Sequence, residues 1–80
     1  VLRVKSEQAK YFRALPLHHS QREEIYDGYS LFYYRMFITY DFVQELLSHG
    51  DSITVISPVE LKAIIVDQLK KTLQNYEQLK

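Results

Sequence analysis

Residues 1–5 alternate apolar and basic side chains, with Leu2 and Val4 on one side and Arg3 and Lys5 on the other. That period of two predicts a half-buried strand whose apolar side faces a core. Ser6, followed by Glu7 and Gln8, then reads as a helix start, a hydroxyl N-cap with an acid in the first turn. Ala9, Phe12 and Leu15 line one face of that helix, and Pro16 ends it before a polar connector over residues 17–21. Residues 22–26 and 29–40 read as two strands around Asp27-Gly28, a dipeptide that predicts a type I′ hairpin turn with positive φ at both centres. In the second arm Phe32, Tyr34, Met36 and Ile38 would make one side, and Leu31, Tyr33, Arg35 and Phe37 the other.

From about Thr39 the spacing turns helical, and Phe42, Val43, Leu46 and Leu47 form a stripe that closes at Gly50, the expected left-handed C-cap. Residues 53–56 make a short strand. Ser57, Pro58 and Glu60 then form a capping-box pattern, with the hydroxyl as N-cap, proline at N1 and the acid at N3. The last helix should run from Pro58 to about Tyr76, with Leu61, Ile64, Ile65, Leu69, Leu73 and Tyr76 on a wide apolar face. The order β-α-β-β-α-β-α predicts an α+β fold. Its first six elements match a ferredoxin-like split unit, both helices on one face of an antiparallel sheet, and the last helix is an addition.

Composition narrows the reading. Eighty residues hold one domain, residues 1–80, and the 46% hydrophobic content is that of a folded chain. Ten basic residues balance ten acidic ones, so no net field draws the chain to nucleic acid or anionic lipid. There is no cysteine, which excludes disulfides and thiolate metal sites and sits easily with a reducing, cytoplasmic setting. No apolar run is long enough to span a membrane. A strand at the very first residue predicts a piece cut from a longer protein, because an unanchored first strand frays.

Chemistry-bearing groups are sparse. His18, His19 and His49 are the three histidines, and the adjacent pair points apart in extended chain, so it cannot chelate as a helical i, i+4 pair does. The acids sit in caps, turns or solvated positions, and both glycines answer to turn geometry, which leaves none for a phosphate-cradling loop. No enzyme activity, metal or cofactor is expected. Residues 27–34 loosely mimic the aromatic strand of an RNA-recognition domain, but Asp27 stands where that strand needs a basic residue, and residues 1–5 carry no aromatic partner. The unusual feature is the outward sheet side: Leu31, Tyr33 and Phe37 load it around Arg35, where a helix-covered sheet needs only one apolar face.

Ser20-Gln21, Asp27-Gly28, residues 45–50 (Glu-Leu-Leu-Ser-His-Gly), residues 55–58 (Val-Ile-Ser-Pro) and Tyr76 occur in an order that resembles the C-terminal extension, WCX, of bacterial WYL-domain transcriptional regulators. The resemblance spans almost the whole chain. It implies an upstream winged helix-turn-helix and a WYL barrel, neither of which this chain contains. It also implies a homodimer, and an extension that joins subunit contacts and helps shape an effector site, the effector being single-stranded nucleic acid in some members or else a small molecule. On that resemblance Ser20-Gln21 becomes a connector that hydrogen-bonds a neighbour, and the open sheet face becomes a docking surface. The candidate binding residues are thus His18, His19, Ser20, Gln21, Arg22, Leu31, Tyr33, Arg35 and Phe37.

Overall fold

A computed structural model describes residues 1–78. The elements are β1 (Leu2–Lys5), α1 (Ser6–Ala14), β2 (Arg22–Ile25), β3 (Tyr29–Tyr33), α2 (Tyr40–Ser48), a 3-10 turn (Gly50–Ser52), β4 (Ile53–Val55) and α3 (Val59–Gln78). The four strands form one sheet in the order β2-β3-β1-β4, with every neighbouring pair antiparallel. This is the expected α+β architecture with a ferredoxin-like strand order and an appended helix.

Register explains why one face carries the core. Leu2 lies opposite both Phe32 and Val55, and Val4 opposite Ser30 and Ile53, so pleating sends these side chains to the same side. There they meet Ala9 and Phe12 of α1, Phe42, Val43 and Leu46 of α2, and Leu61 of α3. Phe32 is fully buried, and its ring meets that of Phe12 edge to face, with centroids 5.5 Å apart. On the edge strand β2 the inward positions are Glu23 and Ile25, opposite Phe32 and Ser30. Glu23 is satisfied there by a two-pronged contact from Arg13 of α1, at 2.7 Å to each oxygen, and by the Ser30 hydroxyl at 2.6 Å. Arg13 first, then Ser30, holds its carboxyl below the usual carboxylate range, against the opposing effect of burial.

Several local expectations shift. α1 begins at Ser6 itself, whose amide donates to the Gly28 carbonyl, and its N-cap Lys5 makes no side-chain cap bond. Leu15 is left exposed beyond the end of α1. The hairpin turn carries a positive φ only at Gly28 (+84°), so Asp27-Gly28 is not type I′; the link closes through the Tyr26 amide on the Tyr29 carbonyl. Thr39 caps α2 by accepting from the Phe42 amide, and Gly50 takes the left-handed φ of +60° that follows that helix. α3 starts at Val59. The Pro58 carbonyl accepts from the Lys62 amide, which makes Pro58 the N-cap position in place of Ser57.

The largest correction concerns β3, which stops at Tyr33 rather than running to residue 40. Its ladder partners end there, since β2 begins at Arg22 opposite Tyr33 and β1 begins at Leu2 opposite Phe32. Without a neighbour on either side, residues 34–39 leave the sheet. Tyr34 and Met36 still pack on the core, whereas Phe37 is 91% exposed and Ile38 41% exposed. Arg35 and Phe37 therefore do not continue the outward row of Leu31 and Tyr33.

Candidate docking face and arginine-lined depression

The sheet face turned away from the helices is built by the alternate positions of the same strands. Arg3 stands between Leu31 and Thr54, Glu24 stands opposite Leu31, and Arg22 stands opposite Tyr33. Cross-strand neighbours this close pair by chemistry. The Arg22 guanidinium sits over the Tyr33 ring at 4.6 Å, and the Arg3 guanidinium over the Tyr29 ring at 4.3 Å. Tyr26 stacks on Tyr29, ring centroids 5.1 Å apart.

Glu24 ties the two ends of this layer together. It accepts from the Tyr33 hydroxyl at 2.7 Å and from the Tyr26 hydroxyl at 3.2 Å. The bond from Tyr33 in the first place, then that from Tyr26 and the charge of Arg22, keeps its carboxyl below the usual range. Both phenols are raised above theirs, chiefly by the same carboxylate. The face is thus a layer of tyrosines and Leu31 capped by two arginines and crossed by one acid, rather than a bare apolar patch.

At one end of the face lies an open depression of about 440 Å³, lined by Ser20, Arg22, Tyr33, Tyr34 and Arg35. Four of the nine candidate residues meet here. Ser20 organises the rim: its hydroxyl accepts from the Arg35 amide at 2.9 Å and lies 2.7 Å from His18 Nδ1. His18 and His19 do not point apart as an extended chain would have them: the segment turns here, and their rings lie tilted at 32° with centroids 4.1 Å apart. Arg35 forms no ion pair among the described residues. Two cationic heads beside an aromatic ring suit an anionic or π-faced group.

Gln21 turns the other way. Its side-chain carbonyl accepts from the Leu17 amide at 3.1 Å and the Tyr34 hydroxyl at 2.7 Å, while its amide nitrogen donates to the Phe12 carbonyl at 2.9 Å. These three bonds sew the connector onto α1 and Tyr34. Burial pushes the Tyr34 phenol well above its ordinary value. Leu31 and Tyr33 stay half-buried on the open face, while Phe37 stands outside it.

Arg3, Glu24, Tyr26 and Tyr29 were not among the sequence candidates. Arg3 was visible as the outward member of the alternation in β1, and Glu24 as the partner of an aromatic strand. Their pairing required the register. His49 packs edge-on against Phe12 with centroids 4.9 Å apart, and its Nδ1 lies 3.2 Å from Gln8 Nε2. Among the described residues no group of three or more His, Cys, Asp or Glu could hold a metal ion, and no helix is long and apolar enough to cross a membrane.

Residues 1–73 match a family model described as the WCX domain. No curated protein matches the chain.

Proposed function

The chain belongs to the WCX-domain family, and on that premise we propose that it is the C-terminal regulatory module of a WYL-type transcriptional regulator. In this reading the open sheet face docks against a neighbouring part of the regulator, the WYL barrel of its own or of the other subunit. It thereby contributes to subunit contacts and to the effector response, in a cytoplasmic homodimer. The observation that carries the reading is the layer of Tyr26, Tyr29, Leu31 and Tyr33, held flat by Arg3, Arg22 and Glu24. Ordered tyrosines with arginine caps make a rigid, amphipathic surface of the kind enriched at interfaces. WCX is a family associated with regulation rather than with enzymes, and the isolated module has no catalytic role in this reading.

The test is made in the intact regulator. Replacing Leu31 and Tyr33 with serine should leave the module folded by circular dichroism, and should weaken subunit assembly or effector-dependent DNA binding. An unchanged sedimentation profile together with an unchanged effector response would remove the docking role of this face.

A second reading is favoured by the depression between Arg22 and Arg35. There the module itself would contact the effector, a short single strand of nucleic acid or a small anionic molecule, with Tyr33 as the stacking surface, Ser20 at the rim and His18 bonded to it. Titrating the chain with short single-stranded oligonucleotides decides it. Saturable binding that weakens with salt, and that is lost in Arg22→Ala with Arg35→Ala, supports this reading; a flat titration ends it.

A further inference from the structure

The two edges of the sheet differ in kind. β2 and β4 are its outer strands, and each has one strand neighbour among the described residues. The unpaired N–H and C=O groups of such an edge are a template for another strand, and charged side chains are the usual protection. β2 reads Arg-Glu-Glu-Ile, and its acids are bonded to Arg13, Ser30, Tyr26 and Tyr33. β4 reads Ile-Thr-Val, uncharged and β-branched at every position.

The register determines which groups of β4 are open. The Ile56 amide donates to the Val1 carbonyl at 2.9 Å, and residues that face the partner alternate along an antiparallel ladder. Thr54, opposite Arg3, therefore directs its amide and carbonyl to β1, while Ile53 and Val55 turn theirs to the open side. Beside that edge runs an apolar groove of about 200 Å³, lined by Ile53, Val55, Ile65, Val66 and Leu69 with Lys62 at the rim. α3 is seated on the core by Leu61 and Ile65, whereas Val66 and Leu69 are 40% and 53% exposed over the groove. One wall thus offers backbone hydrogen bonds and the other apolar side chains, the two things an added strand needs.

We propose that this groove takes an extended segment of a partner polypeptide, added to the sheet as a fifth strand beside β4. Pleating sends the segment's residues opposite Ile53 and Val55 toward Ile65, Val66 and Leu69, so these must be apolar. The residues between them lie level with Thr54 and are polar. Lys62 forms no ion pair among the described residues, while Asp67 is held by Lys71 at 3.1 Å, so an acid at the end of the segment completes the match. Three residues of β4 span about 10 Å, which sets the recognised run at about five residues. A helix laid in the groove would cover α3 but leave the backbone of Ile53 and Val55 unmet. The site is at the opposite sheet edge from the arginine-lined depression, and it does not depend on the docking of the open face.

The test titrates the isotope-labelled chain with the synthetic peptide acetyl-Glu-Val-Thr-Val-Ser-amide, followed by NMR. Saturable shifts are expected at Ile53, Val55, Ile65 and Leu69. The amides of Ile53 and Val55 should exchange roughly tenfold more slowly in the complex, while that of Thr54, bonded to β1 already, changes little. Methylating the two valine amide nitrogens of the peptide blocks an antiparallel strand, and methylating those of Thr and Ser blocks a parallel one. Loss with one set alone supports strand addition and gives its direction; loss with both or with neither overturns it. Leu69→Asp should abolish binding with the helical circular dichroism kept, since that side chain is more than half exposed. Lys62→Glu should weaken binding a few-fold, and exchanging the peptide's Glu for Lys should restore it.

A flat titration up to about 1 mM peptide overturns the proposal. So does binding indifferent to Leu69→Asp, and failure of the charge exchange to restore affinity overturns the acidic match. Leu31→Ser with Tyr33→Ser should leave the titration unchanged; a loss there would put the peptide on the open face and overturn the groove as its site. Protection of Ile53 and Val55 that grows with the concentration of the chain alone would give the edge to a second copy, and overturns the proposal as well.

Discussion

Phe32 and Phe37 stand in the same aromatic run, and replacing each in turn with alanine should give opposite results. Phe32 is fully buried at the centre of the sheet, opposite Leu2 and Glu23, and edge-on to Phe12 at 5.5 Å. Removing a buried phenyl ring from such a site costs about 3–5 kcal/mol, through lost burial and the cavity left behind. A domain of this length has about 4–12 kcal/mol of stability in total. With a urea slope of about 1 kcal/mol/M, Phe32→Ala should lower the midpoint by about 3 M or more, or leave the chain unfolded in buffer. Phe37 is 91% exposed on residues 34–39, outside the ladder, so Phe37→Ala should stay within about 0.5 kcal/mol of the parent. Urea titrations followed by far-UV circular dichroism and tyrosine fluorescence measure both. If Phe37→Ala lost stability on the scale of Phe32→Ala, β3 would have to continue past Tyr33, and the account of why it ends there would be wrong.

Three further outcomes follow from the same contacts. Gln21→Ala removes three bonds that fasten the connector to α1 and to Tyr34, and should cost about 2 kcal/mol in the same titration, with faster amide exchange at Leu17. Thr39→Ala deletes the cap on α2 and should cost about 1 kcal/mol, whereas Thr39→Ser should cost much less. Glu23 has a folded-state pKa depressed by Arg13 and Ser30, so its contribution is present above its unfolded value near 4.5 and fades as pH falls through the folded one. The stability gap between the parent and Glu23→Gln should therefore narrow below about pH 4.5 in acid titrations; a gap that is constant from pH 7 to pH 2 would disprove the linkage.

Much of the fold follows from spacing that is local in the chain. The alternation of Leu2, Arg3, Val4 and Lys5 determines both that β1 is a strand and which of its sides is buried. The stripe of Phe42, Val43 and Leu46 determines α2 and its buried face, and the placement of Gly28 and Gly50 marks the two positive-φ sites. These signals suffice because each depends on residues within a few positions of one another. Element order then leaves few topologies for a sheet with right-handed crossovers, and the observed order is one of them.

Tertiary structure decided what depends on residues distant in sequence. Residues 34–39 have ample strand propensity, yet the sheet ends at Tyr33 because no neighbouring strand offers backbone partners further on. Propensity is a property of the segment, whereas a ladder needs two. The pairing of Arg22 with Tyr33 and of Arg3 with Tyr29, and the carboxylate of Glu24 between two phenols, likewise came into being only with the register. Gln21 looked outward in sequence and was drawn inward by three groups that folding brought beside it. The last helix combines both levels. Its apolar face is written in the spacing of Leu61, Ile65, Leu69, Leu73 and Tyr76, but only the length of the body beneath it determines that Leu61 and Ile65 are covered and the other three are not.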